Sequence, residues 1–314
     1  MSDMQWYIIF TAFVLDMVLG DPVWLPHPVV FMGKAIEYFE PLFRKNIKSE
    51  LISGLLFALS LIFATWSLTF LALKLCSSIT PVLAQIVQII LLFFCLSAKT
   101  LERAACKVAA VLKTRDIKSA RAHLSMIVGR DVNALDEAGM VKAVIETVAE
   151  NFVDGFLSPL FFALTGGIPC AMAYKMINTL DSMVGYNNGK YKFFGRTAAR
   201  IDDIANFIPA RLAVLIISFS ASFFPGKRGK KALKYGFKEG RLHKSPNSGY
   251  AEASFAGALH VKLGGPSRYN GILVKKPYIG KNFKDPDVDK ISMACDLMLL
   301  SSFISMVLSL VILI

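Results

Sequence analysis

Long uncharged stretches alternate with charged segments along this chain. No charged residue occurs from Leu51 to Leu73 or from Leu75 to Ala98, and only Lys74 separates these two stretches. A third uncharged run extends from Leu297 to Ile314. A helix needs about 20 apolar residues to cross a bilayer, and each run comes close to that length or exceeds it. The pattern predicts an all-α, polytopic helical membrane protein whose first two runs form a hairpin that turns near 76–80.

The segment from residue 99 to residue 150 is polar, but its apolar positions still recur at helical spacing. One such stripe is formed by Leu101, Ala105, Val108 and Leu112. A second helix is expected over 117–128, ending at Gly129, and Asp136 should cap a third. The inward-facing positions of the third helix are Val141, Ile145, Val148 and Phe152. We therefore predict that residues 99–150 form a cytoplasmic helical insert.

Residues 155–181 differ from a plain membrane span because Thr165-Gly-Gly-Ile-Pro169 interrupts their apolar run. Two short helices that meet at this point would form a broken helix or a re-entrant hairpin. Irregular backbone of that kind is tolerated at membrane depth where protein or a wet cavity surrounds it. A single kinked span explains the same residues. We expect at least one broken or re-entrant helix in the fold.

The composition agrees with a membrane protein. Hydrophobic residues make up 54% of the 314 residues and charged residues only 18%, which is more apolar than an ordinary soluble domain. We expect one integral membrane domain over 1–314, inserted in the cell (cytoplasmic) membrane as a multi-pass protein. The five cysteines are scattered, with no CxxC pair or Cys/His cluster, so neither a disulfide framework nor a zinc site is supported.

Much of the formal net charge of +12 comes from the segment that follows residue 224. Between Pro225 and Lys244, eight lysines and arginines stand against one glutamate. Cytoplasmic juxtamembrane loops are basic in general, so we expect membrane anchoring, or attraction of an anionic substrate, and no nucleic-acid partner. We predict a basic and glycine-rich cytoplasmic loop over 225–290.

The basic segments create a conflict of topology. Residues 181–205 and 225–290 are both basic, which favours the same side of the membrane for both. One complete span between them would place them on opposite sides. Either 155–180 or 205–224 therefore does not cross completely, and the pattern leaves both choices open.

Three carboxylates stand at helical spacing just before the interrupted apolar run. Glu146, Glu150 and Asp154 recur every fourth residue, so a helix would place them on one face. Carboxylates at the mouth of a membrane segment are costly unless a cation meets them. An ion-pair ladder that starts at Lys142 is one explanation, and a site for a cationic ligand is the other. The apolar flank favours the site.

Several motifs, spread in order over nearly the whole chain, resemble those of the cobinamide-synthase family. They are Gly20-Asp-Pro with His27-Pro-Val, Gly129-Arg130-Asp131, the run from Glu146 to Gly155, the run from Lys175 to Tyr186, and Ser245-Pro-Asn247-Ser-Gly249 with Gly264-Gly265. This family contains the membrane-bound adenosylcobinamide-phosphate synthases of cobalamin biosynthesis. The resemblance implies an enzyme that joins aminopropanol, or its O-phosphate, to a propionate carboxylate of adenosylcobyric acid.

Amide formation of this kind requires an activated carboxylate. The resemblance and the reaction type imply ATP as co-substrate, with either an acyl phosphate or an acyl adenylate as the activated species. They also imply Mg²⁺, which typically uses one or two protein carboxylates together with phosphate oxygens. The sequence contains no Walker-type loop and no GxGxxG strand–helix unit, so a nucleotide would occupy an unorthodox pocket.

These requirements select three sets of candidate site residues. The expected catalytic residues are Glu146, Glu150, Asp154 and Asp181. The expected metal ligands are Glu146, Glu150, Asp202 and Asp203. The expected cofactor-binding residues are Arg130, Asn151, Arg196, Arg200, Asn247, Gly264 and Gly265. The arginines are chosen because a guanidinium fork binds phosphate bidentately, and an unpaired carboxylate would take the proton of the incoming ammonium group.

Two other function classes explain part of the same pattern. A corrinoid-binding or transport protein would account for broken helices and for charges inside apolar segments, at Asp16 and Lys175. A regulatory membrane protein of the same superfamily would need neither a corrinoid nor ATP. The expected partners of a synthase are the corrinoid, aminopropanol or its phosphate, and the lipid bilayer, while the oligomeric state stays open.

Overall fold

The computed structural model describes residues 5–22, 24–186, 189–243, 245–269 and 272–313. Within these residues the chain is mainly helical. The helices are α1 Trp6–Leu19, α2 Pro28–Asn46, α3 Glu50–Ile79, α4 Pro81–Cys95, α5 Ala98–Lys113, α6 Ile117–Leu124, α7 Glu137–Phe152, α8 Ser158–Val184, α9 Arg196–Ala205, α10 Phe207–Ala221, α11 Arg228–Glu239, α12 Ser248–Leu259 and α13 Asp289–Leu313. A π-helix, Val153–Leu157, links α7 to α8, and a 3₁₀ turn, Gly240–Leu242, follows α11.

Short strands occupy part of the segment between α12 and α13. They are β1 Leu263–Gly264, β2 Ser267–Tyr269, β3 Ile272–Val274 and β4 Tyr278–Ile279. Strand β1 pairs antiparallel with β4, and β2 pairs antiparallel with β3. These two pairs of short strands lie in a connecting segment, so the fold class is still all-α.

Four of the described helical stretches are long and apolar enough to cross a membrane. They are Glu50–Ile79, Pro81–Lys113, Glu137–Val184 and Asp289–Leu313. The bent pair of α9 and α10 makes a fifth if it counts as one span. The predicted all-α, polytopic membrane fold is thereby confirmed.

The hairpin of α3 and α4 follows from local sequence signals. Ser49 caps α3, because its Oγ accepts a hydrogen bond from the backbone NH of Ile52 at 3.5 Å. Thr80 caps α4 through the NH of Leu83 at 3.1 Å, and Pro81 occupies the first helical position, where a missing NH costs nothing. Helix α3 continues through Lys74, so the turn lies at Thr80, at the end of the predicted interval.

Contacts between Cα atoms divide the chain into two compact units. Unit 1 comprises Met1–Ser97, Asp154–Asn206 and Leu308–Ile314, and unit 2 comprises Ala98–Val153 and Phe207–Val307. The predicted insert over 99–150 and the predicted loop over 225–290 both lie in unit 2, and the single integral membrane domain over 1–314 stays a prediction.

In unit 1, α8 packs against α2, α3 and α4. The interruption predicted at Thr165–Pro169 is confirmed as a kink inside α8, where Gly167 has a φ of 74°. Glycine suits this position because residues with a Cβ rarely adopt a positive φ. The large apolar side chains on α3 are widely exposed, with Phe63 and Leu68 each at 68%, as expected of a lipid-facing surface.

In unit 2, the predicted third helix of the insert is confirmed. Asp136 caps α7, because its Oδ1 accepts from the NH of Gly139 at 2.8 Å. All four predicted inward-facing residues of α7 are fully buried. Helix α6 is shorter than predicted: it ends at Leu124 and not near Gly129, because isolated turns replace the helical ladder after Ser125.

The segment 225–290 is more ordered than the predicted loop, since it contains α11, α12 and the four strands. Small side chains explain the difference. A Cβ on Gly257 of α12 would lie 2.5 Å from the carbonyl oxygen of Lys231 on α11, so the two helix backbones touch. The glycine, alanine and serine residues of α12 form the contact surface of a closely packed helix pair.

Candidate functional site

Glu146 and Arg130 form the centre of a polar cluster in unit 2. Glu146 lies on α7 and is 3% exposed, and its Oε2 accepts from Nη2 of Arg130 in a close ion pair. The other oxygen, Oε1, accepts from the backbone NH of Gly264 at 2.7 Å. Nη1 of Arg130 also donates to Ser267 Oγ at 3.4 Å. The Glu146 carboxylate is therefore saturated by partners from two other segments.

Backbone geometry at β1 permits the contact with Glu146. Gly264 has a φ of 71°, and a Cβ there would lie 2.3 Å from the carbonyl oxygen of Pro277. Gly265 has a φ of 95°, and its NH donates to the same carbonyl at 3.2 Å. The backbone NH groups of Gly264 and Gly265 are thus both bonded inside the protein. Either group would have to give up its present bond before it could bind a phosphate, the role that the sequence suggested.

Glu150 lies one turn after Glu146 and meets the start of α12. Its Oε1 accepts from Ser248 Oγ at 3.1 Å, and its other oxygen makes no hydrogen bond to the described residues. Ser248 is held in place by Ser245, whose Oγ accepts from the Ser248 NH at 3.3 Å. The Glu150 carboxylate is therefore only partly engaged.

Glu252 is a second buried carboxyl group of this cluster. It lies one turn into α12, is 5% exposed, and forms no hydrogen bond or ion pair with any described residue. Burial raises the pKa of Glu252 well above its ordinary value, and the negative charges of Glu146 and Glu150 raise it further. Lys276 and Arg130 oppose this shift more weakly. Burial thus favours the neutral form of Glu252 over the ionised form.

His243 adds a second unsatisfied group. Its Nδ1 accepts from the NH of Ser245 at 3.1 Å, and its Nε2 is buried without a hydrogen-bond partner among the described residues. Burial, assisted by the positive charge of Lys276, lowers the pKa of His243 to about 4. The imidazole is therefore neutral at physiological pH.

Asn247 has a structural role at the start of α12. Its Oδ1 accepts from Nη1 of Arg211 at 3.1 Å, and the same nitrogen donates to the carbonyl oxygen of Phe207. The Arg211 guanidinium also lies 4.6 Å from the centre of the Tyr250 ring. Asn151, another expected ligand-binding residue, donates its side-chain NH to the Thr147 carbonyl of its own helix at 3.0 Å.

The three carboxylates that were predicted to share one helical face do not all lie on one α-helix. Glu146 and Glu150 lie on α7 in unit 2, whereas Asp154 falls within the π-helix and belongs to unit 1. The ion-pair ladder is wrong, because Lys142 pairs with Asp285 while Glu146 pairs with Arg130.

The second acidic group, in unit 1, is tied into a buried network. Asp202 Oδ2 accepts from Nδ2 of Asn206 at 3.0 Å, as their helical spacing predicts. Oδ1 of Asn206 accepts from Ser158 Oγ at 2.7 Å and from the Tyr174 hydroxyl at 2.9 Å. This set of bonds joins α8 to the end of α9 and engages one oxygen of Asp202.

Other predicted residues of unit 1 lie on α8 and α9. Asp181 lies near the end of α8, and Asp203 follows Asp202 on α9. Arg196 and Arg200, one turn apart, both line a cavity of about 310 Å³. None of these four residues belongs to unit 2, which holds the cluster around Glu146.

No group of three or more His, Cys, Asp or Glu side chains is arranged to hold a metal ion among the residues that the structure describes. Mg²⁺ needs fewer protein ligands than this, since water and phosphate oxygens complete its coordination. Glu150 and Glu252 keep oxygens without hydrogen-bond partners, which fits that requirement. Glu146 fits it poorly, because both of its oxygens are engaged.

Glu252, Ser248, Lys276 and His243 are absent from the predicted site, although three of them flank or lie within a matching motif. A usable signal exists for Glu252, which is the one charged residue among the small and aromatic residues from Ser245 to Leu259. Lys276 carries no local signal, because its electrostatic effect on Glu252 depends on the path of the chain through the strands.

Comparison with known proteins gives consistent matches over nearly the whole chain. The family model described as "CobD/Cbib protein" matches residues 9–298. "Cobalamin biosynthesis protein CobD" of Clostridium perfringens is 43% identical over 305 residues, which cover 97% of this chain and 96% of the relative. The protein of the same description from Geobacter metallireducens is 44% identical over 280 residues, covering 89% and 88%.

A third relative, "Cobalamin biosynthesis protein CbiB" of Salmonella typhimurium, is 41% identical over 311 residues, covering 98% of this chain and 96% of the relative. No solved structure matches the chain.

Proposed function

Because this chain belongs to the CobD/CbiB family, we propose that it acts in cobalamin biosynthesis as an amide-forming enzyme. The proposed reaction joins a propionate carboxylate of (adenosyl)cobyric acid to the amine of aminopropanol or of its O-phosphate, with ATP as co-substrate and Mg²⁺ as cofactor. One observation supports it most: Glu252 is a buried carboxyl without a partner, beside a second carboxylate that is only partly engaged.

The chemistry explains why such a carboxyl is useful. The amine enters as an ammonium group, and its nitrogen must lose two protons before the amide is complete. A buried carboxyl with a raised pKa exchanges its own proton for a bound cation, because the cation stabilises the ionised form. The ammonium group is therefore expected to bind beside ionised Glu252, which then takes the first proton from nitrogen. Glu150, through its unbonded oxygen, takes the second.

The remaining residues of the cluster hold these two acids in position. The Arg130–Glu146 ion pair ties α7 to β1 and keeps one negative charge close to Glu252. The Ser248 hydroxyl orients Glu150. Breaking a buried pair of this kind is costly, so Glu146 and Arg130 are assigned to positioning and not to ligand binding.

Mg²⁺ would be held mainly by the phosphate oxygens of ATP and by water, and when bound it would neutralise the phosphate charge of ATP, which leaves Glu150 and Glu252 as the proton acceptors. Burial of Glu252 away from water strengthens every charge interaction in this cluster. The arginines of unit 1 are not needed for this part of the scheme.

The test uses the purified full chain in lipid nanodiscs, supplied with adenosylcobyric acid, aminopropanol phosphate, ATP and MgCl₂. The expected result is a corrinoid product whose mass equals the sum of acid and amine less one water. The product should disappear without ATP, with excess EDTA, and in Glu252→Gln. The matched control is Glu137→Gln, an exposed glutamate in the first turn of α7, which should retain activity.

Two results would contradict the proposal. Intact binding of the corrinoid without any product under all conditions would favour a carrier. Absence of both binding and product, in protein that is folded and monodisperse, would favour a regulatory membrane protein.

A further inference from the structure

His243, which precedes α12, carries a buried hydrogen-bond donor. Its Nδ1 accepts from the backbone NH of Ser245 at 3.1 Å. A neutral imidazole carries its proton on one of its two nitrogens, and the other nitrogen accepts. Because Nδ1 accepts, the proton is on Nε2, and this N–H is buried without a hydrogen-bond partner among the described residues. The His243 ring therefore presents one unused donor and no unused acceptor.

The surroundings of this imidazole keep it in the neutral form. Burial, assisted by the positive charge of Lys276, lowers the pKa of His243 to about 4. The ring is thus neutral at physiological pH and keeps its proton on Nε2. Such a ring is a poor base, because the lone pair of Nδ1 is already used. It is also a poor acid, because loss of its proton would leave an imidazolate anion. Its unused chemistry is hydrogen-bond donation.

His243 packs against the first turn of α12. A Cβ on Gly249 would lie 2.5 Å from the Cβ of His243, so this approach is possible only because residue 249 has no side chain. Ser248, the residue before this glycine, donates to Glu150, and Glu252 lies one turn further along α12. The histidine thus lies against the helical turn that carries or contacts both proposed proton acceptors.

The charges that surround His243 are the same as those that surround Glu252. Glu146, Arg130 and Lys276 act on the pKa of both residues. All of these residues belong to unit 2. The buried donor on Nε2 and the buried acid therefore lie in one polar cluster.

Other strong donors of this cluster already have partners. The backbone NH groups of Gly264 and Gly265 are bonded inside the protein, and the guanidinium of Arg130 pairs with Glu146. A buried donor without a partner is rare and costs stability, so it calls for an explanation. An oxygen atom of a bound substrate would supply the missing acceptor for His243.

We propose that the Nε2–H of His243 donates a hydrogen bond to the carbonyl oxygen of the activated acyl group, a catalytic role that rests on the proposed function. In that reaction the amine nitrogen forms a bond to the acyl carbon with its lone pair, and the π electrons of the C=O bond move to oxygen. The donor stabilises the resulting oxyanion. The C=O bond then re-forms, the bond from carbon to the phosphate oxygen breaks with its electrons leaving on the phosphate, and Glu150 takes the remaining amine proton.

The effect of this donor is expected in kcat. Negative charge on the acyl oxygen develops only in the transition state, so the hydrogen bond is stronger there than in the bound substrate. Loss of one donor to an oxyanion lowers kcat by about 10² to 10³. The KM of each substrate should change little, because binding of the ground state depends less on this bond.

Two substitutions separate the donor of His243 from its acceptor. His243→Asn places an oxygen near the position of Nδ1, so it keeps the acceptor for the Ser245 NH and removes the distal donor. His243→Gln places an amide NH₂ near the position of Nε2, so it keeps the distal donor and removes the acceptor. The expected orders therefore cross. His243→Asn should have the higher unfolding temperature, and His243→Gln should have the higher kcat, by about tenfold or more.

The test measures kcat and KM of amide formation by the full chain in nanodiscs, with thermal unfolding of the same samples. The matched control is His260→Asn. His260 also has a buried Nε2 without a hydrogen-bond partner in the described part of the chain, but its charged neighbours are Lys231, Arg228 and Lys290, with no carboxylate among them. Asparagine tolerates the φ of 57° at this position. The control should have the kcat of the wild type.

The outcomes separate this proposal from the proposed function. If the wild type forms no amide, both are overturned. If the wild type is active and His243→Asn keeps its kcat, only the role of His243 is overturned. The same conclusion follows if kcat and unfolding temperature fall in the same order in the two variants, because a structural role explains that result. An equal loss of kcat in His260→Asn would also overturn the role of His243.

Discussion

Two carboxyl groups, the buried Glu252 in unit 2 and the half-buried Asp202 in unit 1, are in opposite situations. Asp202 accepts from Asn206, which in turn binds the hydroxyl groups of Ser158 and Tyr174. Glu252 is surrounded by α7 and the segment before α13, yet forms no hydrogen bond or ion pair among the described residues. The two groups therefore differ in the hydrogen bonds that they already make, and this difference separates a carboxyl with a structural role from one that is available for chemistry.

The largest effect is expected from the pair of isosteric changes Glu252→Gln and Asp202→Asn. Loss of a general acid–base group lowers rates by about 10² to 10⁴, so Glu252→Gln should reduce amide formation by that factor. Its stability should stay equal or rise, since a neutral amide replaces a group that resists ionisation. Initial rates of product formation and thermal unfolding, measured on the same samples, give both quantities.

Asp202→Asn is the counterpart. It should retain a rate within several-fold of the wild type while its unfolding temperature falls. If Asp202→Asn lost activity as completely as Glu252→Gln did, at unchanged stability, the distinction between the two carboxyl groups would fail.

Glu146 differs from both of these carboxyl groups, because each of its two oxygens already has a partner. Glu146→Gln leaves the Arg130 guanidinium buried without a counter-charge, which typically costs about 3 to 5 kcal/mol of the free energy of unfolding. Equilibrium unfolding in mixed micelles measures this loss. The double variant Glu146→Gln/Arg130→Met should recover most of it, because no unpaired charge remains. No recovery would mean that the ion pair is not the reason for the loss.

Asn206→Ala tests the network around Asp202. It removes the acceptor of two buried hydroxyl groups and the donor to Asp202, which together should cost about 2 to 4 kcal/mol in the free energy of unfolding. Activity per folded molecule should stay near that of the wild type. Asn46→Ala is a suitable control, since Asn46 is exposed and bonds only to the Leu42 carbonyl of its own helix.

The smallest effect concerns His243, whose pKa is lowered to about 4 from 6.5 by burial. Because the pKa of His243 is lower in the folded protein than in the unfolded chain, the neutral imidazole stabilises the fold at a pH above 6.5. This stabilisation is lost as the pH falls from 6.5 through 4. Between pH 7 and pH 5 the free energy of unfolding should fall by about 1 to 2 kcal/mol from this group. The comparison of wild type with His243→Asn, which keeps an acceptor for the Ser245 NH, isolates this contribution. If the free energy of unfolding depended on pH in the same way in both proteins, the lowered pKa of His243 would be contradicted.

Local signals in the sequence predict much of the fold. Asp136 and Thr80 begin helices where expected, and the buried face of α7 follows the spacing of its apolar residues. The kink at Gly167 follows from a glycine pair before a proline. Each of these features depends on residues within one or two turns of each other, so the sequence contains the needed information directly.

The site is less predictable because its contacts join distant segments. Glu146 meets Arg130 and Gly264, which stand 16 and 118 positions away along the chain. Asp154 lies in the π-helix that follows α7, and helical spacing alone gives no warning of such an element. The small residues around Glu252 allow α11 and α12 to touch, and this contact too joins separate segments.

The central claim is that Glu252 is neutral and without a partner at rest, and ionises when a cationic substrate binds. Infrared difference spectroscopy of wild type against Glu252→Gln tests this most directly. The account predicts a protonated carboxyl band at neutral pH that is absent in the variant, titrates above the ordinary range of glutamate, and disappears when aminopropanol phosphate is added. Absence of the band at neutral pH, or its persistence with bound amine, would contradict the account.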